Sequence, residues 1–566
     1  MPTSESVIKL LNEAGVMNSI SLTVPPKPEM GDLAFACFGI AKEWKKNPIE
    51  VAKELVEKLS GVIPEKTGIR IIDKVEAFGP YVNFFLNSQT LARETLTEID
   101  KKDFGSSRVC KGKKVMVEFA QPNTHKAFHI GHLRNIITGE SIARIFENVG
   151  YKVFRANFQG DVGLHIAKCF WGIFQSKAEY EGVKNKSVIE KAEFLGRVYA
   201  LGGQAYETDD KAKEEIVSIN KKIYSKDKEI YKIYKETREW SLEYFDYIYK
   251  RLDVKFDRLY FESETFVEGK KLVLANLKKG IFKESEGAVI FEGEKFSLHN
   301  RVFLNSKGLP TYEAKDLALA KVQLQEKPEK IFHVVGKEQT EYFKVVFKAI
   351  ESVFPKSVGV ENHLIYGWVS LKEGKMSSRT GNVILGEWLL DEVKSKITEV
   401  MKDHEISDRK NIEEKVAVAA IKYAFLRTSA PNDIIFSINE SVSLTGDSGP
   451  YLLYIVARIK SIFRKSDKKL KKLIVPDKIE MSEKKLLNCL TNFVEVAEKA
   501  ALEKDPSKIA HYLLELAQDF NNFYATCPIL KAENEILQFR LHLIRAVEIV
   551  MVRGLYLLGI EAVDEM

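Results

Sequence analysis

The chain has 566 residues, 45% of them hydrophobic, so it is long enough for several domains with packed cores. Lysine and arginine number 86 against 80 aspartate and glutamate, and this net charge of +6 alone does not indicate a nucleic-acid-binding protein. No apolar run is long enough to span a membrane, and the N-terminus lacks the pattern of a secretory signal. Five scattered cysteines without metal-ligand spacing predict a cytoplasmic protein with neither disulfides nor a metal site.

The first stretch of the chain, to about residue 112, predicts a small α/β domain. Asn47 and Pro48 are typical of a helix start, and Glu50 stands at the capping-box position. Residues 69–72 and 81–86 are apolar and predict two strands.

A strand, a polar turn and a helix are predicted between residues 115 and 143. The apolar run 115–120 predicts a buried strand, and proline and asparagine in 121–124 predict a turn. His129, Gly131 and His132 then stand at the start of an amphipathic helix. Unpaired amide groups and the dipole make a helix N-terminus an anion site, and neutral imidazoles can donate to phosphate oxygens. Gly131 leaves room for a ring against the backbone.

The following elements alternate strands with helices. Strands are predicted at 153–156, 331–335 and 365–369, with an antiparallel meander at 287–291 and 301–304 and a charged helical insertion at about 186–250. Asp161, in a Gly-Asp-x-Gly turn after the strand at 153–156, either lines a ligand site or only binds its own backbone. Beyond residue 387 the chain reads almost wholly as helices, with a break at 448–451 before a helix from residue 452.

Two motifs together resemble the class I aminoacyl-tRNA synthetases. They are His-Ile-Gly-His at 129–132 and the lysine-rich sequence Lys-Met-Ser-Ser-Arg at 375–379, in this order. The preceding Glu-Phe-Ala-Gln-Pro-Asn at 118–123 is similar to arginyl-tRNA synthetases in particular. The resemblance extends over essentially the whole chain.

The resemblance implies an α/β fold with a Rossmann-like parallel-sheet catalytic domain. It implies a small N-terminal α/β domain at 1–112, the catalytic domain at 113–386 with a helical insertion at about 180–250, a helical stem at 387–446 and an all-α anticodon-binding bundle at 447–566. The implied reaction is ATP-dependent activation of L-arginine followed by transfer to tRNA(Arg), with Mg²⁺ accompanying the nucleotide through its phosphates. A monomer is expected.

The resemblance also assigns roles to single residues. ATP is expected to bind at His129, Gly131, His132, Lys375, Met376, Ser377 and Ser378, and the catalytic residues are expected to be His129, His132, Lys375 and Lys126. Phosphoryl transfer needs positioning and charge stabilisation more than covalent help. Of the two lysines, we expect Lys375 to contribute more to the activation step.

The arginine substrate requires at least one buried carboxylate. A desolvated guanidinium must be paired, and its planar fork suits bidentate acceptors. Tyr312 and Asp316 are four residues apart and therefore share a helix face. The resemblance predicts arginine binding by Glu118, Asn123, Glu262, Tyr312, Asp316 and Gln339.

Contacts to tRNA are expected at both ends of the chain. The family's N-terminal domain touches the corner of the tRNA, which makes Tyr81 and Asn83 candidates, although Tyr81 could equally fill the domain core. Tyr451 and Tyr454 could stack on anticodon bases, and Arg458 begins a basic stretch suited to phosphates.

Three alternative functions are weaker. Another class I synthetase, lysyl or cysteinyl, is disfavoured by the Asn123 context, the Tyr312 and Asp316 pair and the missing zinc-ligand cysteines. An inactive RNA-binding paralogue is disfavoured because His129, His132 and Lys375 are all present. A nucleotidyltransferase with the same motif would leave the large helical tail unexplained.

Overall fold

The computed structural model describes residues 2–17, 20–25, 27–60, 72–372, 384–466 and 469–566. Of the predicted strand at 69–72, only Ile72 lies within the described residues, and the motif at 375–379 lies entirely outside them. No helix in these ranges is both long and apolar enough to cross a membrane.

The N-terminal region is a four-stranded antiparallel sheet covered by helices. The strand order is β1-β2-β4-β3. As predicted, a helix begins at Pro48, where the Asn47 side chain accepts a hydrogen bond from the Ile49 amide at 2.9 Å. The elements are α1 (Pro2–Glu13), β1 (Leu22–Thr23), β2 (Leu33–Ala36), α2 (Phe38–Trp44), α3 (Pro48–Ser60), β3 (Ile72–Phe78), β4 (Tyr81–Leu86) and α4 (Ser88–Ile99).

The central region is built on a five-stranded parallel sheet of order β12-β11-β5-β6-β7. The chain runs from β5 through β6 to β7 on one side and later returns through β11 to β12 on the other. The carboxyl end of β5 is therefore the topological switch point, where open α/β sheets bind ligands. The first elements are β5 (Lys114–Glu118), α5 (Ile130–Asn148) and β6 (Lys152–Gln159).

A helical insertion separates β6 from β7. Its helices have a hydrophobic core of their own, in which Tyr234 and Trp240 are buried. The helices are α6 (Leu164–Gln175), α7 (Lys177–Val183), α8 (Val188–Thr208), α9 (Asp210–Tyr224) and α10 (Lys228–Arg251).

The second half of the sheet follows the insertion and contains the predicted meander, β10-β9-β8. The strand predicted at 365–369 is wrong in extent, because β12 ends at Tyr366 and the next strand pairs with β14 in a separate two-stranded sheet. The elements are β7 (Arg258–Phe261), α11 (Glu262–Leu277), β8 (Lys283–Ser285), β9 (Ala288–Phe291), β10 (Arg301–Leu304), α12 (Tyr312–Gln323), β11 (Lys330–Gly336), α13 (Thr340–Val353), β12 (Glu361–Tyr366) and β13 (Val369–Leu371).

The remaining third is helical apart from β14. The break predicted at 448–451 is instead the start of α17, where the Ser448 hydroxyl accepts from the Tyr451 amide at 3.2 Å and Pro450 occupies the first turn. The elements are α14 (Gly386–Val400), α15 (Arg409–Leu426), β14 (Ile434–Phe436), α16 (Ile438–Ser441), α17 (Gly449–Lys465), α18 (Met481–Thr491), α19 (Phe493–Glu503), α20 (Ser507–Thr526) and α21 (Asn534–Leu557).

The N-terminal sheet and the C-terminal bundle are directly connected. The Asp32 carboxylate accepts from the Leu86 amide within its own domain at 2.8 Å. It also lies 2.9 Å from Lys484 Nζ and accepts from Asn488 Nδ2 at 2.9 Å, both on α18. One buried carboxylate thus joins the two ends of the chain.

Candidate active site

His129 and His132 form the N-terminal cap of α5. Nδ1 of His129 accepts from the Gly131 amide at 3.2 Å, and Nδ1 of His132 accepts from the His129 amide at 3.1 Å. The two rings stack with centroids 3.8 Å apart. A Cβ on Gly131 would come within 3.0 Å of the His129 ring, so glycine is needed for this close approach.

These caps determine how each imidazole is protonated. Burial, followed by the nearby Lys126 ammonium, lowers the pKa of His129 to about 4. Burial, followed by the His129 ring and Lys126, lowers the pKa of His132 well below its usual value. Both rings are therefore neutral at pH 7, and because Nδ1 accepts in each, Nε2 carries the hydrogen. Two uncharged N–H donors thus stand at a helix N-terminus beside the switch point.

The turn that precedes these histidines has an unusual backbone. Ala120, Gln121 and His125 have φ values of 78°, 50° and 62°, which non-glycine residues rarely adopt. Asn135 of α5 holds the turn, because its side chain accepts from the Ala120 amide at 2.6 Å and donates to the Val334 carbonyl at 2.8 Å. The strained turn is thereby fixed between β5 and β11.

Asn123 and Glu262 both lie close to Gly160. A Cβ on Gly160 would fall 2.0 Å from Oδ1 of Asn123 and 3.6 Å from the carboxyl carbon of Glu262. The structure therefore brings these two predicted arginine-binding residues together at the carboxyl ends of β5, β6 and β7.

Glu262 forms a buried ion pair with Lys315. Nζ of Lys315 is 2.6 Å from Oε2 of Glu262, and each side chain is 5% exposed. Nζ is also 4.9 Å from the ring centroid of Tyr312, which is itself 60% exposed. Burial disfavours the charge on Lys315, but the Glu262 carboxylate outweighs it and raises the pKa of the ammonium.

Asp316 follows Lys315 on α12, and its carboxyl group lies close enough to Glu262 for the two to influence each other. Its Oδ2 accepts from the Tyr342 hydroxyl at 2.6 Å. Burial raises the pKa of Asp316 to about 7, against the effect of the Tyr342 hydrogen bond and with help from Glu118 and Glu262. A carboxylate that titrates near neutrality in a buried pocket is suited to a cationic ligand.

Glu118 has several protein partners. Its oxygens accept from Gln121 Nε2 at 2.8 Å and from Gln323 Nε2, and His333 Nδ1 lies 3.4 Å away. His333 bridges to Glu361 through Nε2 at 2.7 Å, and although burial disfavours its charge, the two carboxylates raise the pKa of His333 to about 10. These contacts hold Glu118 inside the sheet, and arginine binding by its carboxylate stays a prediction.

The remaining predicted residues lie at the rim or outside the described residues. Lys126 and Gln339 are exposed, and Nζ of Lys126 is 6.0 Å from the ring centroid of Tyr199. Lys375, Met376, Ser377 and Ser378 lie outside the described residues. The described chain resumes at Ile384, whose carbonyl accepts from the Ile130 amide at 2.9 Å. Ile384 therefore lies against the start of α5.

Asp161 has a structural role. It accepts from the amide and the hydroxyl of Ser263 at 2.8 and 2.7 Å, from the Tyr234 hydroxyl at 3.0 Å and from Arg238 Nε at 2.9 Å. The residue joins the end of β6 to the start of α11 and to the insertion.

The two N-terminal candidates for tRNA contact differ in exposure. Tyr81 is 37% exposed and packs edge-on against Phe38, with ring centroids 5.8 Å apart. Asn83 is buried and donates to the Met30 carbonyl at 2.6 Å. Burial argues against a direct contact by Asn83 and leaves Tyr81 as the candidate.

The C-terminal candidates also differ. Tyr451 is 7% exposed and its hydroxyl accepts from Asn521 at 2.6 Å, so the prediction that its ring stacks on a base does not fit its burial. The Arg458 guanidinium lies over Tyr454 and Tyr524, 4.5 and 5.2 Å from their ring centroids. A guanidinium next to two aromatic rings offers both charge and stacking surface for contacts with nucleotides.

Several residues of the site were missed in the sequence. Lys315 stands between Tyr312 and Asp316, which were both predicted to bind arginine. Asn135 is a polar residue on the apolar face of α5, a pattern that can be detected in the sequence. Gln323, His333 and Tyr342 gave no comparable signal, because their partners lie in other elements of the sheet.

Comparison with known proteins agrees with this arrangement. Three family models match: the N-terminal domain of arginyl-tRNA synthetase at 4–86, the catalytic domain of class I (R) tRNA synthetases at 95–438 and the DALR anticodon-binding domain at 452–566. The arginine–tRNA ligase of Treponema denticola is 36% identical, with 97% of this chain and 95% of that protein covered. That of Bdellovibrio bacteriovorus is 35% identical, with coverages of 96% and 94%.

A solved structure resembles the whole chain. The Thermus thermophilus arginyl-tRNA synthetase superimposes with a TM-score of 0.81 at 26% sequence identity, and the match covers 99% of each chain.

Proposed function

The chain belongs to the arginyl-tRNA synthetase family, and from this premise we propose that it activates L-arginine with ATP and transfers it to tRNA(Arg). One observation carries the proposal: two buried carboxyl groups, those of Glu262 and Asp316, lie close together near the sheet edge where two neutral imidazoles cap a helix. A carboxylate oxygen of arginine attacks the α-phosphorus of ATP and pyrophosphate leaves. A ribose hydroxyl of the terminal adenosine then attacks the acyl carbon and AMP leaves.

His129 and His132 act as hydrogen-bond donors to the phosphates. Their Nε2–H groups and the positive end of the α5 helix dipole stabilise the charge that moves onto non-bridging and leaving oxygens. Neutral rings suit this role because their protonation does not change near pH 7. Mg²⁺ accompanying the nucleotide would supply further charge neutralisation. Lys375, with Met376, Ser377 and Ser378, remains our sequence-based proposal for the pyrophosphate end.

The arginine side chain binds with its guanidinium toward Asp316 and Glu262. Tyr312 lies at the exposed side of this pocket, and Asn123 is close enough to Glu262 to contact the same substrate. Asn123 is proposed to hold the α-amino or carboxylate group, with Gln339 approaching from the end of β11. Orientation of the carboxylate toward the phosphates is the main contribution of these side chains.

The terminal domains bind the tRNA in this proposal. Residues 1–112 contact its corner through Tyr81, and residues 447–566 contact the anticodon through Tyr454 and Arg458. The link from Asp32 to α18 supports a fixed spacing between these two surfaces. Residues 113–386 would form the catalytic domain and 387–446 the stem. We further propose a monomer, which light scattering of the purified chain tests.

Pyrophosphate exchange tests the proposed function. We expect ATP–pyrophosphate exchange with L-arginine and with no other protein amino acid, measured with and without tRNA. Asp316→Asn should lower kcat/KM for arginine about 30-fold or more, because removing a buried charge partner costs about 2–5 kcal/mol. Exchange with another amino acid, or unchanged kinetics in Asp316→Asn, would contradict the proposal.

A further inference from the structure

We propose that Lys315 is a specificity-determining residue whose ammonium holds Glu262 while the arginine pocket is empty and gives up this carboxylate when the substrate guanidinium enters. The inference rests on the proposed function, because it assigns a role within the same pocket. It concerns how the site discriminates between cationic side chains.

The geometry resembles the recognition of a cationic substrate. A primary ammonium lies 2.6 Å from a carboxylate oxygen and 4.9 Å from an aromatic ring centroid, in a pocket where the two paired side chains are each 5% exposed. The Tyr224 hydroxyl of the insertion faces the same ammonium. Lys315 therefore makes, within the protein, the contacts that a cationic side chain of a substrate would make.

Without this lysine the empty pocket would contain two buried carboxylates and no cation. Burial raises the pKa of Glu262, and the Lys315 ammonium is the opposing influence. An unpaired buried carboxylate takes up a proton rather than remain charged. The Lys315 ammonium, 2.6 Å from the carboxylate, thus opposes protonation of Glu262 and leaves a carboxylate that a substrate cation can take over.

Exchange favours a guanidinium over an ammonium. A free lysine would replace one ammonium–carboxylate contact by another, with no gain in binding. The planar fork of arginine can bind a carboxylate through two parallel hydrogen bonds and can reach Asp316 as well. Discrimination against lysine therefore arises from competition with the resident ammonium.

The groups around the pair define what else can titrate. They are Asp161 and His165 after β6, Tyr224 of α9, and Tyr312 and Asp316 of α12. Of these, Asp316 has a pKa of about 7, whereas burial lowers that of His165 to about 4. Proton release from Asp316 is therefore the background for any measurement between pH 6 and 8.

Titration calorimetry with L-arginine on the full chain tests the inference. The slope of binding enthalpy against buffer ionisation enthalpy gives the number of protons released. We expect Lys315→Met to release up to one proton more than wild type between pH 6 and 8, because a protonated Glu262 must ionise before it pairs. Lys315→Arg should restore the wild-type number. The control is Lys321→Met, which breaks an exposed pair between the same two helices and should leave the number unchanged.

A second measurement compares the dissociation constants of L-lysine and L-arginine. We expect the dissociation constant of L-lysine divided by that of L-arginine to fall at least tenfold in Lys315→Met, because lysine no longer competes with an identical group. Equal proton release in wild type and Lys315→Met, or an unchanged ratio, would overturn the inference. If the wild type bound no arginine, the proposed function itself would fail.

The double variant Lys315→Met with Glu262→Gln covers the case in which the single variant does not fold. It leaves no unpaired charge, and we expect it to fold, to bind arginine more weakly than wild type and to release no proton beyond that of Asp316. Wild-type affinity and wild-type discrimination in this variant would also overturn the inference.

Discussion

Two ion pairs join helix α11 to helix α12, six residues apart on each helix, and they differ almost only in burial. Lys315 and Glu262 are 2.6 Å apart and 5% exposed, whereas Lys321 and Glu268 are 2.7 Å apart with side chains 42% and 35% exposed. The first pair lies at the proposed arginine site and the second at the surface. We thus propose a functional role for the buried pair, whereas the same chemistry at the other end of the two helices is a solvated contact.

The largest expected difference between the pairs is in stability. Breaking a buried pair by removing one partner costs about 3–5 kcal/mol, whereas an exposed pair contributes about 0–1 kcal/mol. We expect Lys315→Met to lower the free energy of unfolding by about 3–5 kcal/mol and Lys321→Met to lower it by about 0–1 kcal/mol. Urea denaturation at pH 7.5 measures both losses.

The pH dependence of this loss gives a further check. In Lys315→Met the folded-state pKa of Glu262 rises further above its unfolded value, so the penalty is present at high pH. It diminishes as pH falls through the folded pKa, because the carboxyl takes up a proton. Equal losses in the two variants, or a loss that grows on acidification, would contradict the role of burial.

A substitution at Gly160 tests the surroundings of the buried pair without changing either ion pair. The Cβ of Gly160→Ala would lie 2.0 Å from Oδ1 of Asn123, so the amide must move although the helices are untouched. A displacement of about 1 Å costs about 100-fold in activity, and we expect that loss in kcat/KM for arginine in pyrophosphate exchange. Gly182→Ala, where a Cβ meets nothing within 4 Å, is the control and should be near wild type.

Which parts of the fold and of the site could be predicted from the sequence depended on how far apart the interacting residues lie along the chain. The strand, turn and helix around His129 and His132 were predicted because they are consecutive in the chain, and Tyr312 and Asp316 share one helix. Lys315 was missed because its partner Glu262 lies 53 residues away, on a helix whose packing no local pattern reveals. The contacts of Gln323 and His333 with Glu118 were missed for the same reason, since both residues are about 200 positions further along.

Tyr342 makes it possible to shift the ionisation of Asp316 without removing the carboxylate. The hydroxyl hydrogen bond lowers the pKa of Asp316, so Tyr342→Phe should raise it above the present value of about 7. Because arginine pairs with the ionised form, its KM rises as pH falls through this pKa. We expect Tyr342→Phe to move that rise upward by up to about one pH unit, equivalent to about 1.4 kcal/mol.

The profile of KM for arginine between pH 6 and 9 measures this shift. Tyr556→Phe, at a partly exposed tyrosine of the C-terminal helix, should show the wild-type profile. A downward shift in Tyr342→Phe would mean that Asp316 is not the group that titrates.

Lys126 extends the comparison to a single exposed charge near the phosphates, where we expect the smallest effect. At this exposed position water screens its ammonium, and such a charge contributes about 1 kcal/mol at contact distance, or roughly fivefold in rate. Lys126→Ala should therefore lower arginine-dependent pyrophosphate exchange less than Lys375→Ala, measured side by side at saturating arginine. A larger loss in Lys126→Ala would contradict our assignment of the main phosphate lysine to Lys375, because an exposed ammonium could then act so strongly only by becoming buried against the nucleotide.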